Sequence, residues 1–246
     1  MSQLKEDHAL LIEIVREGGA LALSYFHGGV KHWDKGYGDP VSEADHAVDD
    51  LLRQKLLDHR PQYGWLSEET EDDSKRLGCR DVWVVDPIDG TRAFIQQRAE
   101  FTVCAALVRD GRPVAAAVYN PAKQEFFEAV QGGGARLNGK SIQVTSTQDF
   151  EGARLLTGRN LFKNAGPLHK PANVTIHMVN SIAYRMCLVA GGRYDACISL
   201  SGKSDWDIAA AELILTEAGG VNTSSHGQNF VYNRPDPRHK SVISAG

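Results

Sequence analysis

The hydrophobic period of the chain changes along its length, and this change most constrains the fold. Residues 101–145 contain four short apolar runs, FTVCAALV, PVAAAVY, EFFEAV and SIQV, separated by Asp-Gly, Asn-Pro, Gly-rich and Asn-Gly breaks. Short apolar runs between turn dipeptides predict a meander of antiparallel strands. Segments with helical spacing lie on both sides of it, so the sequence predicts a layered α/β (α+β) protein.

The flanking segments predict the helices and a second set of strands. Apolar residues recur at helical spacing from Leu4 to Tyr25, and this first helix is expected to end near Gly28. A second helix is expected to start at Ser42, which has capping-box spacing to Asp45. After residue 150 strands are predicted in ARLLTG, NVTIHMV, YDACISL and VISAG, and helices in SIAYRMCLVAGG, capped by Ser181, and from Asp207 to Gly219. We therefore expect two halves, residues 1–147 and 148–246.

Composition and charge exclude several classes of protein. Apolar residues make up 42% and charged residues 24% of the chain, and its net charge is −4. This is globular composition without a basic field for a nucleic acid polymer or a membrane surface. The amino terminus lacks a signal-peptide core, no apolar run could span a bilayer, and the four cysteines form no C-x-x-C pair. The expectation is a reduced, cytoplasmic protein that acts on small diffusible partners.

The stretch WVVDPIDGTRAF, residues 83–94, ends a predicted strand in two carboxylates. Pro87 is expected to turn the chain so that Asp86 and Asp89 enter one crevice. Two unpaired carboxylates repel, and a shared proton or a bound cation relieves the repulsion. Donors that are all oxygen favour Mg²⁺. The alternative is a plain Asx-type turn, but Gly90 and Thr91 add backbone N–H groups suited to a phosphate.

Further carboxylates follow strand ends or begin helices elsewhere in the chain. Glu68 and Glu69 follow the apolar Trp65-Leu66 pair, Asp45 lies in the first turn of the second helix, and Asp207 opens the last long helix. Each has an ordinary alternative, namely a solvated acidic loop or a helix cap. Together they would form a polar cluster at strand ends, where open α/β folds bind ligands.

Taken together, four blocks resemble the inositol monophosphatase superfamily of Mg²⁺-dependent, lithium-sensitive phosphatases. They are DPVSEAD (39–45), SEET (67–70), DPIDGT (86–91) and WDIAAAELILTEAGG (206–220), and they occur in family order. The resemblance covers nearly the whole chain. It implies a layered α-β-α-β-α sandwich of the inositol monophosphatase and fructose-1,6-bisphosphatase type, and a homodimer.

The resemblance also implies roles for individual residues. Glu68, Asp86 and the carbonyl of Ile88 would hold one Mg²⁺, and Asp86, Asp89 and Asp207 a second, with a third, weaker ion near Glu68. Asp45 and Thr91 would orient and help to deprotonate the attacking water, with Glu69 beside them. The N–H groups of Gly90 and Thr91 would bind the phosphate of the substrate, near Asp89 and Asp207. Lys203 does not follow from the resemblance; it could bind an additional anionic group of the substrate, with a solvated loop lysine as the alternative. Lys35 matches a mobile lysine of the family, or is an ordinary solvated lysine.

The substrate side of the resemblance is incomplete. Family members that favour inositol phosphate carry a Glu seven residues before the W-D aspartate, where this chain has Leu200. Candidate substrates are an inositol phosphate, a 3'(2'),5'-bisphosphate nucleotide and histidinol phosphate. Alternatives are fructose-1,6-bisphosphatase activity or a non-catalytic Mg²⁺-dependent binding protein. Arg92, Arg159 and Arg185 are candidate substrate-side cations, with surface ion pairs as the alternative.

Overall fold

Helices make up two layers of the protein. A computed structural model describes residues 3–36, 40–158, 161 and 173–246. Its helices are α1 (Gln3–Gly28), α2 (Glu43–His59), α3 (Thr91–Ile95), α4 (Ile182–Ala190), α5 (Asp205–Glu217) and a 3₁₀-helix at Ser74–Gly78. The expected end of α1 at Gly28 and the start of α2 after Ser42 are confirmed. Ser181 caps α4 as expected, since its side chain accepts a hydrogen bond from the backbone N–H of Tyr184.

A seven-stranded sheet contains the predicted meander. Its strands, in spatial and sequence order, are β3 (Gly64–Ser67), β4 (Asp81–Asp89), β5 (Thr102–Arg109), β6 (Arg112–Asn120), β7 (Glu125–Val130), β8 (Ala135–Leu137) and β9 (Lys140–Ser141). Neighbours pair antiparallel except β3 and β4, which are parallel.

The strand expected in SIQV is only partly present. β9 ends at Ser141, and the N–H of Ile142 still donates to the carbonyl of Ala135 in β8. The N–H of Val144 instead donates to the carbonyl of Ala218, beyond the end of α5. The chain therefore leaves the sheet edge there, because its backbone groups find partners in another element.

A five-stranded sheet forms in the second half of the chain. In spatial order its strands are β11 (Thr175–His177), β10 (Arg154–Thr157), β12 (Ala196–Ser199), β16 (Val242–Ala245) and β14 (Val221–Thr223). β10 pairs parallel with β11 and β12. Two-stranded ribbons join β1 (His32–Asp34) to β2 (Pro40–Ser42), and β13 (Lys203–Ser204) to β15 (Arg238–His239).

The layers follow from the alternation of side chains along the strands. Trp83 and Val85 of β4 pack in a core with α1 and α2, whereas Val82 and Val84 face the core formed with α4 and α5. Leu156 of the second sheet belongs to this latter core. The described residues thus form helix, sheet, helix and sheet layers. The expected α/β sandwich is confirmed, and four of the five expected α-β-α-β-α layers lie among the described residues.

The two proposed halves share a core. The large sheets are separate in sequence, since β9 ends at Ser141 and β10 starts at Arg154. However, α4 and α5 of the second half pack against the sheet of the first. A division at residues 147 and 148 therefore stays a prediction about organisation, and the shared core predicts that the halves fold together.

No helix in the described part of the chain is long and apolar enough to cross a membrane.

Candidate active site

A bulge in β4 brings Asp86 and Asp89 to the same face of the sheet. The strand ends at Asp89 as expected, but the turn expected at Pro87 is instead a shift of register within β4. Asp86 lies opposite Cys104 and Asp89 opposite Thr102, so four residues of β4 span three residues of β5. Residues three apart on a regular strand face opposite sides, and the extra residue of the bulge corrects this.

Asp207 completes a compact group of carboxylates. One oxygen from each of Asp86, Asp89 and Asp207 lies within 4.8 Å of the others. Helix α5 brings Asp207 there. It begins at Asp205 rather than at the expected Asp207, with Ser204 as N-cap and Asp207 as the third residue of a capping box. Asp207 therefore both caps α5 and belongs to the carboxylate cluster.

Asp86 is the most buried member of this carboxylate cluster, with 1% of the residue exposed. Its Oδ1 accepts a hydrogen bond of 3.0 Å from the backbone N–H of Ile88. Its Oδ2 is buried and has no hydrogen-bond partner among the described residues. A buried carboxylate oxygen without a donor is costly, and a bound cation or a proton at this position would relieve that cost.

Asp89 is held by the start of α4, which sequence reasoning did not connect to the site. Its Oδ2 accepts hydrogen bonds from the hydroxyl of Ser181 and, at 2.7 Å, from the backbone N–H of Ala183. Ser181 also lies 3.0 Å from the hydroxyl of Thr102. The sequence showed Ser181 only as a helix cap, since its contact with Asp89 spans 92 residues.

Asp45 serves both the α2 capping box and the site. Its Oδ2 accepts a hydrogen bond of 2.8 Å from the backbone N–H of Ser42, which confirms the capping box. Its Oδ1 lies 3.1 Å from the hydroxyl of Thr91, which is also 3.0 Å from the carbonyl of Ile88. The Thr91 hydroxyl is therefore positioned between an acidic side chain and a backbone acceptor.

Glu68 and Glu69 share a protein cation. Lys35 donates to Glu68 Oε1 at 3.3 Å and forms a closer contact with Glu69 Oε1. Glu68 lines the same cavity as the Asp86 cluster, but its carboxylate is not among the three that converge within 4.8 Å. Lys35 is exposed but contacts both glutamates, so its role stays a prediction; residues 37–39 beside it lie outside the described residues.

Asp49 supports the loop that carries these two glutamates. It accepts hydrogen bonds from the hydroxyls of Ser67 and Thr70, which flank Glu68 and Glu69. Asp49 was missed in the sequence, where it resembles any polar residue of an amphipathic helix.

Burial and mutual repulsion raise the pKa values of these acids. Burial raises the pKa of Asp86 well above its usual value, and the charges of Glu68 and Asp89 raise it further. Burial raises the pKa of Glu68 to about 8, against the opposing effect of Lys35. The pKa of Asp89 is also raised by burial, although the Ser181 and Ala183 hydrogen bonds counteract this. The positively charged groups of the protein therefore do not fully compensate the negative charge of these carboxylates.

The carboxylates open into a cavity of about 330 Å³. Besides the acids, its walls carry the cations Arg92, Arg185 and Lys203, with Gly90, Thr91 and Asn180. Asn180 was not identified from the sequence; its side-chain amide donates to Glu100 at 2.7 Å. Arg159 lies outside the described residues. An acidic floor with cations on the walls suits an anionic ligand that is bound through metal.

A divalent cation fits this donor set. The converging atoms are carboxylate oxygens, joined by the wall residue Ile88, and no His or Cys belongs to the described cluster. Hard cations prefer such oxygen donors, and the unpartnered Asp86 Oδ2 is an available ligand atom.

The fold and the site define a layered α/β protein with a carboxylate centre in a cation-lined cavity. The model of the inositol monophosphatase family matches residues 3–245. The chain therefore belongs to the inositol monophosphatase family.

Individual relatives agree with this assignment. An inositol-1-monophosphatase of Rhizobium meliloti (strain 1021) is 36% identical over 201 residues, 78% of this chain and 75% of that protein. The 3'(2'),5'-bisphosphate nucleotidase CysQ of Aggregatibacter actinomycetemcomitans is 31% identical, over 91% of this chain and 86% of its own. The crystal structure of the extragenic suppressor protein suhB from Bartonella henselae has a TM-score of 0.84 at 26% identity, covering 97% of this chain and 93% of that one. Because the first two of these relatives are named as enzymes that remove phosphate, the comparisons support a phosphatase activity for this chain.

Proposed function

We propose that this chain is a Mg²⁺-dependent phosphatase that hydrolyses a small phosphomonoester by attack of water. The observation that carries the proposal is the convergence of Asp86, Asp89 and Asp207 around a buried oxygen without a donor. Phosphoryl transfer requires positioning and charge neutralisation more than a covalent nucleophile. Such a cluster, facing cations across a cavity, supplies both requirements.

Five residues would hold the metal ions. Glu68, Asp86 and the carbonyl of Ile88 would bind one Mg²⁺, and Asp86, Asp89 and Asp207 a second; a third, weaker ion would lie near Glu68. When bound, the ions would neutralise phosphate oxygens and lower the pKa of the attacking water. They would also stabilise the negative charge on the leaving oxygen. The raised pKa values of Asp86 and Glu68 mean that binding displaces protons as well as filling the site.

Asp45 and Thr91 would prepare the attacking water. The Thr91 hydroxyl can donate to Asp45 Oδ1 and accept from a water in the cavity. Burial raises the pKa of Asp45, while its Ser42 and Thr91 hydrogen bonds counteract this. A carboxylate of raised pKa is a better proton acceptor, so Asp45 would receive the proton through Thr91. Glu69, which Lys35 holds in place, would support this pair.

Gly90 would let the phosphate approach the backbone. It has a φ of 99°, and an added Cβ would lie 2.7 Å from the carbonyl oxygen of Glu100. Only glycine suits that position, which is the N-cap of α3 and lines the cavity. The N–H groups of Gly90 and Thr91, together with Lys203, would bind the phosphate oxygens.

A second cavity extends the substrate side. It measures about 280 Å³ and shares Arg185 with the carboxylate cavity. Its walls include Leu161, Ile198 and Leu200, with the hydroxyls of Thr157, Ser199 and Ser201. Leu200 is 57% exposed and offers no acceptor for sugar hydroxyls. These features favour a substrate with an apolar portion and a further anionic group.

Among the candidates, a 3'(2'),5'-bisphosphate nucleotide fits best. Its base would occupy the apolar second cavity, and its other phosphate would lie near Arg185. Inositol phosphate offers no apolar face to Leu200, and histidinol phosphate carries an amine that Arg185 repels. Fructose 1,6-bisphosphate supplies two phosphates but no apolar part.

Phosphate release tests the proposal directly. Rates would be measured with Mg²⁺ for 3'-phosphoadenosine 5'-phosphate, inositol 1-phosphate, histidinol phosphate and fructose 1,6-bisphosphate. We expect the nucleotide to exceed inositol 1-phosphate by at least about tenfold in kcat/KM, which corresponds to about 1.4 kcal/mol. EDTA and Asp89→Asn should abolish release. Tight Mg²⁺-dependent binding without turnover would instead identify a non-catalytic binding protein.

A pair of matched variants tests the substrate side. Arg185→Gln should lower kcat/KM for the nucleotide more than for inositol 1-phosphate. Arg193→Gln is the control, because Arg193 pairs with Glu125 and lines neither cavity. Equal losses for both substrates in Arg185→Gln would remove the argument for a second anionic group.

Lithium sensitivity and a homodimer, implied by the family resemblance, stay predictions, as does the cytoplasmic location inferred from the sequence.

A further inference from the structure

A cavity on the carboxyl-terminal side of the chain carries an unusual concentration of positive charge. It has a volume of about 510 Å³ and is lined by residues between Ser224 and Ser241. Its walls contain the cations Arg234, Arg238 and Lys240 beside His226 and His239, and no carboxylate is among its described lining residues. The chain as a whole has a net charge of −4, so the positive charge of this cavity is a local feature.

The cationic side chains of this carboxyl-terminal cavity have N–H donors that are available to bind a ligand. Arg234 donates to the backbone carbonyls of Val231 and Arg238 rather than to a carboxylate. Arg238 pairs with Asp236, but both side chains are largely exposed, so solvent weakens the pair. Lys240 forms no ion pair with any described residue. Guanidinium and ammonium groups of this kind bind phosphate oxygens.

The carboxyl-terminal cavity is distinct from the carboxylate cavity. The β13–β15 ribbon runs between the two, with Lys203 of β13 on the carboxylate cavity and its pairing partner His239 on the other. His239 is fixed there by a 2.7 Å contact between its Nε2 and Asp205 Oδ1. The two cavities have no lining residue in common.

Size and shape indicate a small molecule. Cavities of a few hundred Å³ with an apolar wall and a few converging polar groups are typical ligand sites. Phe230 and Val231 supply the apolar wall, and the hydroxyls of Ser224 and Ser241 lie beside the cations. We propose that the carboxyl-terminal cavity is a second ligand site that binds a small phosphate-bearing anion, separate from the proposed site of hydrolysis.

Calorimetric titration of the full chain with ADP and with inorganic pyrophosphate in EDTA tests this proposal. Chelation leaves the carboxylate cluster negative, which suppresses anion binding there. We expect saturable binding with one site per chain. Equal affinities would assign recognition to the phosphates alone, whereas tighter binding of ADP would show that the apolar wall also contributes.

A double variant locates the site. R238Q/K240Q should weaken binding at least about tenfold, since two phosphate contacts are removed. The matched control is R80Q/K75Q, which removes the same charges from exposed pairs with Asp110 and Asp73. This control should bind within about twofold of the wild type, as should Lys203→Gln. The absence of binding, an unchanged R238Q/K240Q, or an equal loss in both double variants would overturn the proposal.

Discussion

Asp86 and Asp195 are both buried aspartates, yet their electrostatic surroundings are opposite. Asp195 is 8% exposed and accepts hydrogen bonds from the backbone N–H and guanidinium of Arg154 and from Thr147. These bonds hold its pKa below the usual range. Asp86 is 1% exposed, has one oxygen without a donor among the described residues and has a raised pKa.

The difference is the basis for proposing a structural role for Asp195 and a metal-binding role for Asp86. On the neighbouring strand β10, Arg154 supplies Asp195 with its own cation, so folding alone satisfies this carboxylate. Asp86 forms no ion pair with any described residue, and its neighbours in the cluster are also acids. Under the proposed function, Asp86 would therefore be satisfied by a cation from solution, and this contrast can be tested.

Asp86→Asn should have the largest effect, and on activity alone. Phosphate release with Mg²⁺ should fall by more than about a hundredfold, the scale of a lost electrostatic group in an active site. In EDTA, however, Tm should equal or exceed that of the wild type, because one of several repelling carboxylates has been removed. Thermal melts and phosphate-release assays on the same preparation measure both. A clearly lower Tm in EDTA would contradict the comparison.

Asp195→Asn should have the opposite profile. It removes charge-assisted hydrogen bonds, so the free energy of unfolding should fall by about 2 kcal/mol. The loss is moderated because the Arg154 side chain is 44% exposed and stays hydrated. Activity at 25 °C should stay within about twofold of the wild type. The control Asp110→Asn, from an exposed pair with Arg80, should cost less than about 0.5 kcal/mol in urea unfolding.

The pH dependence of this difference has a definite sign. The folded pKa of Asp195 is lowered, so its contribution is fully present above the unfolded value of about 3.9. It is lost as pH falls towards the folded pKa. The gap in unfolding free energy between wild type and Asp195→Asn should thus be constant from pH 5 to 7 and shrink below about pH 4. If this difference in unfolding free energy instead grew as the pH fell, the lowered pKa of Asp195 would be refuted.

Lys35→Gln should have the smallest effect. Lys35 places a positive charge beside Glu68, where a metal would bind, so its removal should favour Mg²⁺. The Mg²⁺ concentration for half-maximal phosphate release should fall about threefold, a small change because the pair is partly exposed and screened. Lys55→Gln is the control, since Lys55 pairs with Glu17 away from the cavity. A higher Mg²⁺ requirement would mean that Lys35 instead holds Glu68 in its binding position.

Much of the architecture could be predicted because its signals are local. The meander follows from apolar runs between turn dipeptides, and the helix ends at Gly28, Ser42 and Ser181 follow from capping chemistry within a few residues. Carboxylates at the ends of separate elements also allowed the convergence of Asp86, Asp89 and Asp207 to be expected.

Other features could not be predicted because they depend on distant partners. The bulge in β4 depends on pairing with β5, and no property of Pro87 alone distinguishes it from a turn. The SIQV segment leaves the sheet because Ala218, 74 residues further along the chain than Val144, accepts its hydrogen bond. Helix capping explained Ser181 fully, so its additional bond to Asp89 gave no separate signal.

The sequence by itself determined the types of secondary-structure element, most of their ends, and which acidic residues lie at those ends. Only the tertiary structure decided which acids receive a protein cation. Parallel pairing of β10 with β12 places Arg154 beside Asp195, whereas the β4 bulge and the start of α5 gather acids around Asp86. Local signals depend on a few neighbouring residues, but the charge balance of a buried group depends on every element that packs around it.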